Sequence, residues 1–213
     1  MDVGARLLAV PERPWPTRAI LRRLGYPAGV AVPDGEAGRL YAQCRDEATR
    51  LFKPQAICRV LPIDAVHPDR VILTGVDWTV ESAQVATLLS GCRYAVVLAV
   101  TVGPGVDDRL QRLGDENRLT EAVFLDAMGS EVADDVADWT HHEAWKAHAA
   151  LAGFTETPRY SPGYGDWPLE AQTGLLEVLG ASAIGIVLEP SLLMRPSKSV
   201  SAIFGLKRSP AYE

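Results

Sequence analysis

The spacing of apolar positions changes along this chain, and each change predicts an element. In "PTRAILRRLGYP", Ile20, Leu21 and Leu24 fall near helical spacing and Gly25 supplies the stop, within a first forty residues otherwise broken by prolines. "EAGRLYAQCRDEATRL", residues 36–51, predicts a second helix. "AICRVLPI" and "RVILTGVDW" then carry β-branched and apolar residues at strand length. "VESAQVATLLSGC" predicts a helix ended by Gly91, and the continuous apolar run "RYAVVLAVTVG" a buried strand. "GPGVDDRLQRL" leads into another helix. A long helical segment follows from about Arg118 to Leu151, where Leu125, Met128, Val132, Val136 and Trp139 step by three or four. "PLEAQTGLLEVLG" predicts a helix with Pro168 in its first turn and Gly180 at its C-terminal stop. "AIGIVL" predicts a strand. So does "SVSAIFGLK", in which Val200, Ala202, Phe204 and Leu206 alternate with Ser199, Ser201, Ile203 and Gly205. Strands and helices mix without a strict βαβ rhythm. The expected fold is a single α+β domain over residues 1–213, with a twisted, largely antiparallel sheet flanked by helices.

Composition narrows the partners. Apolar residues make up 47% and charged residues 23% of 213 positions, so the chain buries a core without covalent staples. A net charge of −6 argues against a broad nucleic-acid-binding face. The three cysteines, Cys44, Cys58 and Cys92, are odd in number and form no CxxC pair. Neither a disulfide framework nor a zinc site is expected, which fits a reducing cytoplasm. No apolar run reaches the roughly 18 residues that span a bilayer, so no membrane association is expected.

Several stretches carry candidate chemistry. The glycine-rich turn in "VTVGPGVDDRL" lacks the third glycine of a dinucleotide fingerprint and the GK[ST] of a P-loop. Asp107 and Asp108 in the following turn repel phosphate and suit the helix dipole, so the turn reads as structural. Glu131, Asp134, Asp135 and Asp138 share one helix face, either solvated or able to bind a cation or ammonium group. His141, His142 and His148 do not match HExxH, and no metal site is expected. There is no GxSxG, and neither Ser161 nor Ser199 has a nearby base.

The densest stretch is "RYSPGYGDWP", Arg159 to Pro168. Pro162 and Pro168 fix φ while Gly163 and Gly165 permit positive φ, so the backbone makes a tight bend. Arg159 offers a planar fork for a carboxylate. Tyr160, Tyr164 and Trp167 offer flat faces for a base or a conjugated ring. From these residues alone the stretch is either a helix-launching turn or a ligand loop.

The loop resembles one in the reactivation (AdoMet-binding) domain of cobalamin-dependent methionine synthase. That family's pattern is Arg, two variable residues, Pro-Gly-Tyr, three residues and Pro; Arg159, Pro162, Gly163, Tyr164 and Pro168 fall in step. "MRPSKSVSAIFG", Met194 to Gly205, is similar to the family's Met-x-Pro-x-x-Ser-Val-Ser segment. "FLDAMGSEVADDVADW" and "AVTVGPGVDDRL" are weaker matches. The resemblance covers residues 95–213 and leaves 1–60 as a divergent segment, with no match to the family's N-terminal arm and its ligand-contacting aspartate.

What the resemblance implies is specific. The domain would bind S-adenosylmethionine and dock on the cobalamin-binding module of methionine synthase or another corrinoid protein. It would support reductive remethylation of inactive cob(II)alamin while flavodoxin or another reductant gives an electron. Cobalamin would be carried by the partner, and no catalytic side chain of this chain would be needed. Arg159 would pair with the methionine carboxylate, and Ser161 and Gly163 would offer backbone contacts to the nucleoside. Tyr164 would reach toward the corrin and the methyl group. Asp134 would favour the ammonium or sulfonium charge, and Tyr212 would match a late ligand-contacting tyrosine. The sequence shows no DxHxxG, homocysteine module or folate barrel, which implies a stand-alone relative. The alternative is a corrinoid-docking module without AdoMet chemistry, capping the corrin with Tyr164 and Trp167.

Overall fold

The computed structural model describes residues 3–32, 34–143, 145–146 and 151–209. β9 (Ser199–Arg208) lies in the interior of the main sheet, beside β5 (Tyr94–Thr101). The two pair antiparallel over eight residues, from Tyr94 opposite Leu206 to Thr101 opposite Ser199. β2 (Gln55–Val66) continues the sheet, followed by β3 (Arg70–Leu73) and β4 (Thr79–Glu81); β6 (Phe154–Glu156) closes the other edge. β1 (Val3–Leu8) also pairs with β2. Every pairing among the described strands is antiparallel. The fold is therefore mixed α and β with an antiparallel sheet, as the sequence led us to expect.

Both faces of the central strands are covered, which is why β5 reads as one apolar run. On one face Ile57, Leu61, Val97, Ala99 and Ile203 pack against α3 (Ala83–Leu89) and α6 (Ala171–Leu179). On the other, Val96, Leu98, Ala202, Phe204 and Leu206 meet Val136 and Ala137 of α5 (Leu119–Glu143). A third cluster binds α1 (Thr17–Arg23), α2 (Gly35–Leu51) and α4 (Gly105–Asp115) to α5 through Ile20, Tyr41, Val106, Leu113, Leu125 and Met128. Each such large apolar side chain contributes roughly 1.5–3 kcal/mol on burial. Among the described residues, no helix is long and apolar enough to cross a membrane.

Four segments differ from the sequence pattern. α5 ends at Glu143 rather than near Leu151; the buried indole of Trp145 donates from Nε1 to the His141 carbonyl at 3.0 Å, occupying an end-of-helix acceptor. "RVILTGVDW" is not one strand, because Gly75 takes φ 82° and turns β3 back into β4. In "AIGIVL", residues 183–188, Ala183 and Ile184 end a 3-10 turn, Ala181–Ile184, that lies between left-handed Gly180 and Gly185. Only Val187–Leu188 (β7) pairs there, with Met194–Arg195 (β8). The proline-broken N-terminal region opens with a strand, β1, whose pairing partner lies some fifty residues away and leaves no local signal.

His141 is buried at the end of α5, its Nε2 donating to the Thr157 carbonyl at 2.8 Å and its ring edge-on to Phe204 at 4.5 Å. Burial holds its pKa below the usual 6.5. The Thr157 bond and Glu156 oppose that shift, while His142 and Arg159 add to it. The unfolded chain therefore takes up a proton that the folded chain refuses once pH falls below about 6.5. Stability contributed here is complete above that pH and is lost as pH falls toward the folded value. Thermal unfolding followed by circular dichroism between pH 7.5 and 5.5 should show a falling midpoint. His141→Gln should flatten that slope whatever its effect on the midpoint at pH 7.5.

Candidate functional site

The loop that follows β6 is fixed to the sheet before it turns. Tyr160 and Ile203 exchange two backbone hydrogen bonds, each 2.8 Å, which lays residue 160 against the middle of β9. Beyond it the chain folds on itself. Gly163, at φ 89°, donates its N–H to the Trp167 carbonyl at 2.8 Å, and Trp167 donates to the Tyr164 carbonyl at 3.0 Å. Gly165 sits at φ 53°, where an added Cβ would collide with the side chains of Gln84 and Tyr160. Only glycine suits that position in both conformation and space.

Asp166 and Trp167 bind the loop to the body. The Asp166 carboxylate accepts from Ser82 Oγ at 2.5 Å and from the Ala83 N–H at 2.7 Å, at the N-terminus of α3. These bonds hold its pKa below the usual carboxylate value, the Ser82 bond first among them. Trp167 is 1% exposed and stacks on Tyr160 at 6.3 Å within the α3–α6 cluster. Its Nε1–H has no acceptor among the described residues, so it acts as an apolar anchor. Tyr164, by contrast, is 67% exposed at the loop's tip.

A pocket of about 520 Å³ opens between this loop, α5, α6 and the start of β9. That volume lies within the range of small-ligand sites. Asp134, Arg159, Ser161 and Tyr164 line it together, so four of the expected residues converge across 30 positions of chain. The Ser161 N–H makes no hydrogen bond among the described residues and remains available to a ligand. Gly163 shapes the loop from outside the lining, and its N–H is already engaged within the loop. Tyr212 and His148 lie outside the described residues.

The charges on the α5 wall are paired while keeping solvent contact. Arg159 Nη2 contacts Asp138 Oδ1 at 2.7 Å and lies 3.8 Å from Asp134 Oδ1. Arg23 of α1 bonds Glu131 at 2.6 Å and lies 3.8 Å from Asp134 Oδ2. Arg13 makes two bonds to Asp135, at 2.5 and 3.0 Å. Asp134 alone of these four acids accepts no hydrogen bond among the described residues. Desolvation raises its pKa, with Glu131 and Asp138 acting the same way and Arg159 and Arg23 opposing. It is a half-buried carboxylate with open acceptor positions facing a cavity, beside a guanidinium.

Sequence reasoning passed over the polar floor of the pocket. Gln172 of α6 is buried; its Nε2 donates to the Leu192 carbonyl at 2.9 Å and its Oε1 accepts from Ser201 Oγ at 3.2 Å. Ser199 and Ser201 reach the pocket from one face of β9, a placement the period-two alternation already held. The "MRPSKSVS" block is clamped by α4: Asp107 accepts from the Ser197 N–H at 2.7 Å and from the Ser197 hydroxyl. The GPG turn is packed backbone, with Gly105 so close that a Cβ would stand 3.1 Å from the Leu51 carbonyl oxygen. Among the described residues no three His, Cys, Asp or Glu side chains gather as metal ligands.

With this geometry in place, comparison with known proteins is decisive. The family model for the vitamin B12 dependent methionine synthase activation domain matches residues 82–212. The chain belongs to this family. The match takes in α3, the loop, the pocket lining and β9. Its start at Ser82 lies earlier than the loop-based resemblance reached. The crystal structure of the MetH reactivation domain bound to AdoHcy is similar in fold, with a TM-score of 0.73 at 15% identity. The alignment covers 95% of this chain and 78% of that one, so the likeness of fold extends beyond the residues that the family model matches. No curated protein matches the sequence.

One expectation is overturned within this family fold. Trp167 cannot cap a corrin, because its ring is enclosed by the core. Trp167→Ala should cost about 3–5 kcal/mol in urea denaturation. Tyr164→Ala, a change at an exposed tip, should stay within about 0.5 kcal/mol of wild type.

Proposed function

We propose that this pocket binds S-adenosylmethionine and that the domain presents it to a cobalamin-bearing module for reductive remethylation. Family membership supports the reading. The single observation that carries it is the juxtaposition of Arg159 and Asp134 on one pocket wall. A guanidinium and an open carboxylate side by side match the carboxylate and ammonium of an α-amino acid. Asp138 holds the Arg159 fork in place from behind. The free Ser161 N–H and the Gln172–Ser201 pair offer donor and acceptor groups to the nucleoside end.

The methyl group would come from the AdoMet sulfonium: its S–CH₃ bond breaks as a Co–CH₃ bond forms on cobalt reduced by one electron from flavodoxin or another reductant, and AdoHcy leaves. The residues of this chain bind and orient. Asp134 stabilises the ligand's positive charge, Arg159 fixes its carboxylate end, and Tyr164 stands exposed at the mouth where a corrin would approach. No acid or base is required of the protein.

Isothermal titration of AdoMet into the purified protein tests the reading. Wild type should bind at sub-millimolar ligand, and Arg159→Ala should weaken binding about 10–100-fold, as for a lost charge-assisted pair. No binding to wild type at millimolar AdoMet would sink the proposal. Capture of a corrinoid protein equally well with and without AdoMet would favour the docking module instead.

A further inference from the structure

Among the described residues of the N-terminal segment, the side chain that reaches Asp134 is a cation, Arg23. Arg23 closes α1, whose Ile20 and Leu21 are sunk in the core, so its backbone is fixed. Its Nε is held by Glu131 at 2.6 Å, which points Nη2 at Asp134 Oδ2 from 3.8 Å. Arg159 addresses the other oxygen, Oδ1, from the same distance. Asp134 therefore stands between two guanidiniums, each bonded first to a different acid, Glu131 or Asp138. Three carboxylates and two guanidiniums leave this wall with one net negative charge. Arg23 does not line the pocket and touches no ligand space. It acts only through the field at Asp134.

We propose that Arg23 is a specificity-setting residue that restrains the pocket's preference for a cationic sulfonium over its neutral thioether; this rests on the reading that the pocket binds AdoMet. AdoMet and AdoHcy share the ammonium, the carboxylate and the nucleoside. They differ by the methyl group and by one positive charge at sulfur. The wall charge acts on that difference. Removing Arg23 doubles the net negative charge behind the site and strengthens attraction for the extra cation, an effect that salt screens because these side chains keep solvent contact.

The test is calorimetric titration of both ligands into wild type, Arg23→Gln, Arg23→Lys and Arg22→Gln, at 20 and 300 mM salt. The ratio Kd(AdoHcy)/Kd(AdoMet) is read, so effects on the shared groups cancel. Arg23→Gln should raise that ratio about 3–10-fold at low salt and less at high salt. Arg23→Lys keeps the charge and should keep the ratio. Arg22→Gln removes an exposed charge from the same helix, one that forms no ion pair to α5 among the described residues, and should leave the ratio unchanged. An unchanged ratio in Arg23→Gln, or an equal rise in Arg22→Gln, overturns the role of Arg23 while leaving AdoMet binding intact. Failure of wild type to bind either ligand overturns the underlying reading, and this one with it.

Discussion

The reciprocal pair of backbone hydrogen bonds between Tyr160 and Ile203 is the constraint on which the site depends. Through it an irregular loop inherits the rigidity of a strand buried on both faces. Consecutive residues of the extended segment then point in opposite directions. Tyr160 goes down to Trp167 in the α3–α6 cluster, and Arg159 goes across to the acids of α5. A loop held only at its ends would leave that guanidinium free among several carboxylates. Held here, it meets Asp138 closely and Asp134 at a distance, and the carboxylate facing the cavity stays open.

The acidic face of α5 shows how charge on one helix organises two regions of the chain. Glu131 and Asp135 face the N-terminal segment through Arg23 and Arg13, while Asp138 faces the loop through Arg159. Exposed ion pairs are individually weak, on the order of 0–1 kcal/mol each. Their effect here is less to add stability than to set where each guanidinium lies and how much net charge reaches the pocket.

Much of this was legible in the sequence where local pattern and tertiary context agree. The apolar run of β5, the stripe of α5 and the Arg-x-x-Pro-Gly-Tyr loop all report their structural environment directly. Departures arose where the deciding partner is remote. β1 is a strand because Ala56, Ile57, Cys58 and Val60 lie opposite it, not because of its own periodicity. Trp167 looked like a binding platform because an aromatic beside glycines suits either a surface or a core. Only the arrival of α3 and α6 encloses it. The pairing of the acidic face was invisible for the same reason, since Arg13 and Arg23 come from more than a hundred residues upstream.

The cap of α3 carries a consequence for how the molecule assembles. Ser82 caps that helix, and Asp166, 84 residues downstream, accepts from the Ser82 hydroxyl and the Ala83 N–H. During synthesis, α3 leaves the ribosome well before the residue that completes its first turn. That contact closes a loop holding β5, α4 and α5, at an entropic cost that grows only slowly with loop length. The start of α3 and the bend of the loop are therefore completed by one and the same contact. One long-range carboxylate thus finishes both a helix start and the loop that lines the pocket.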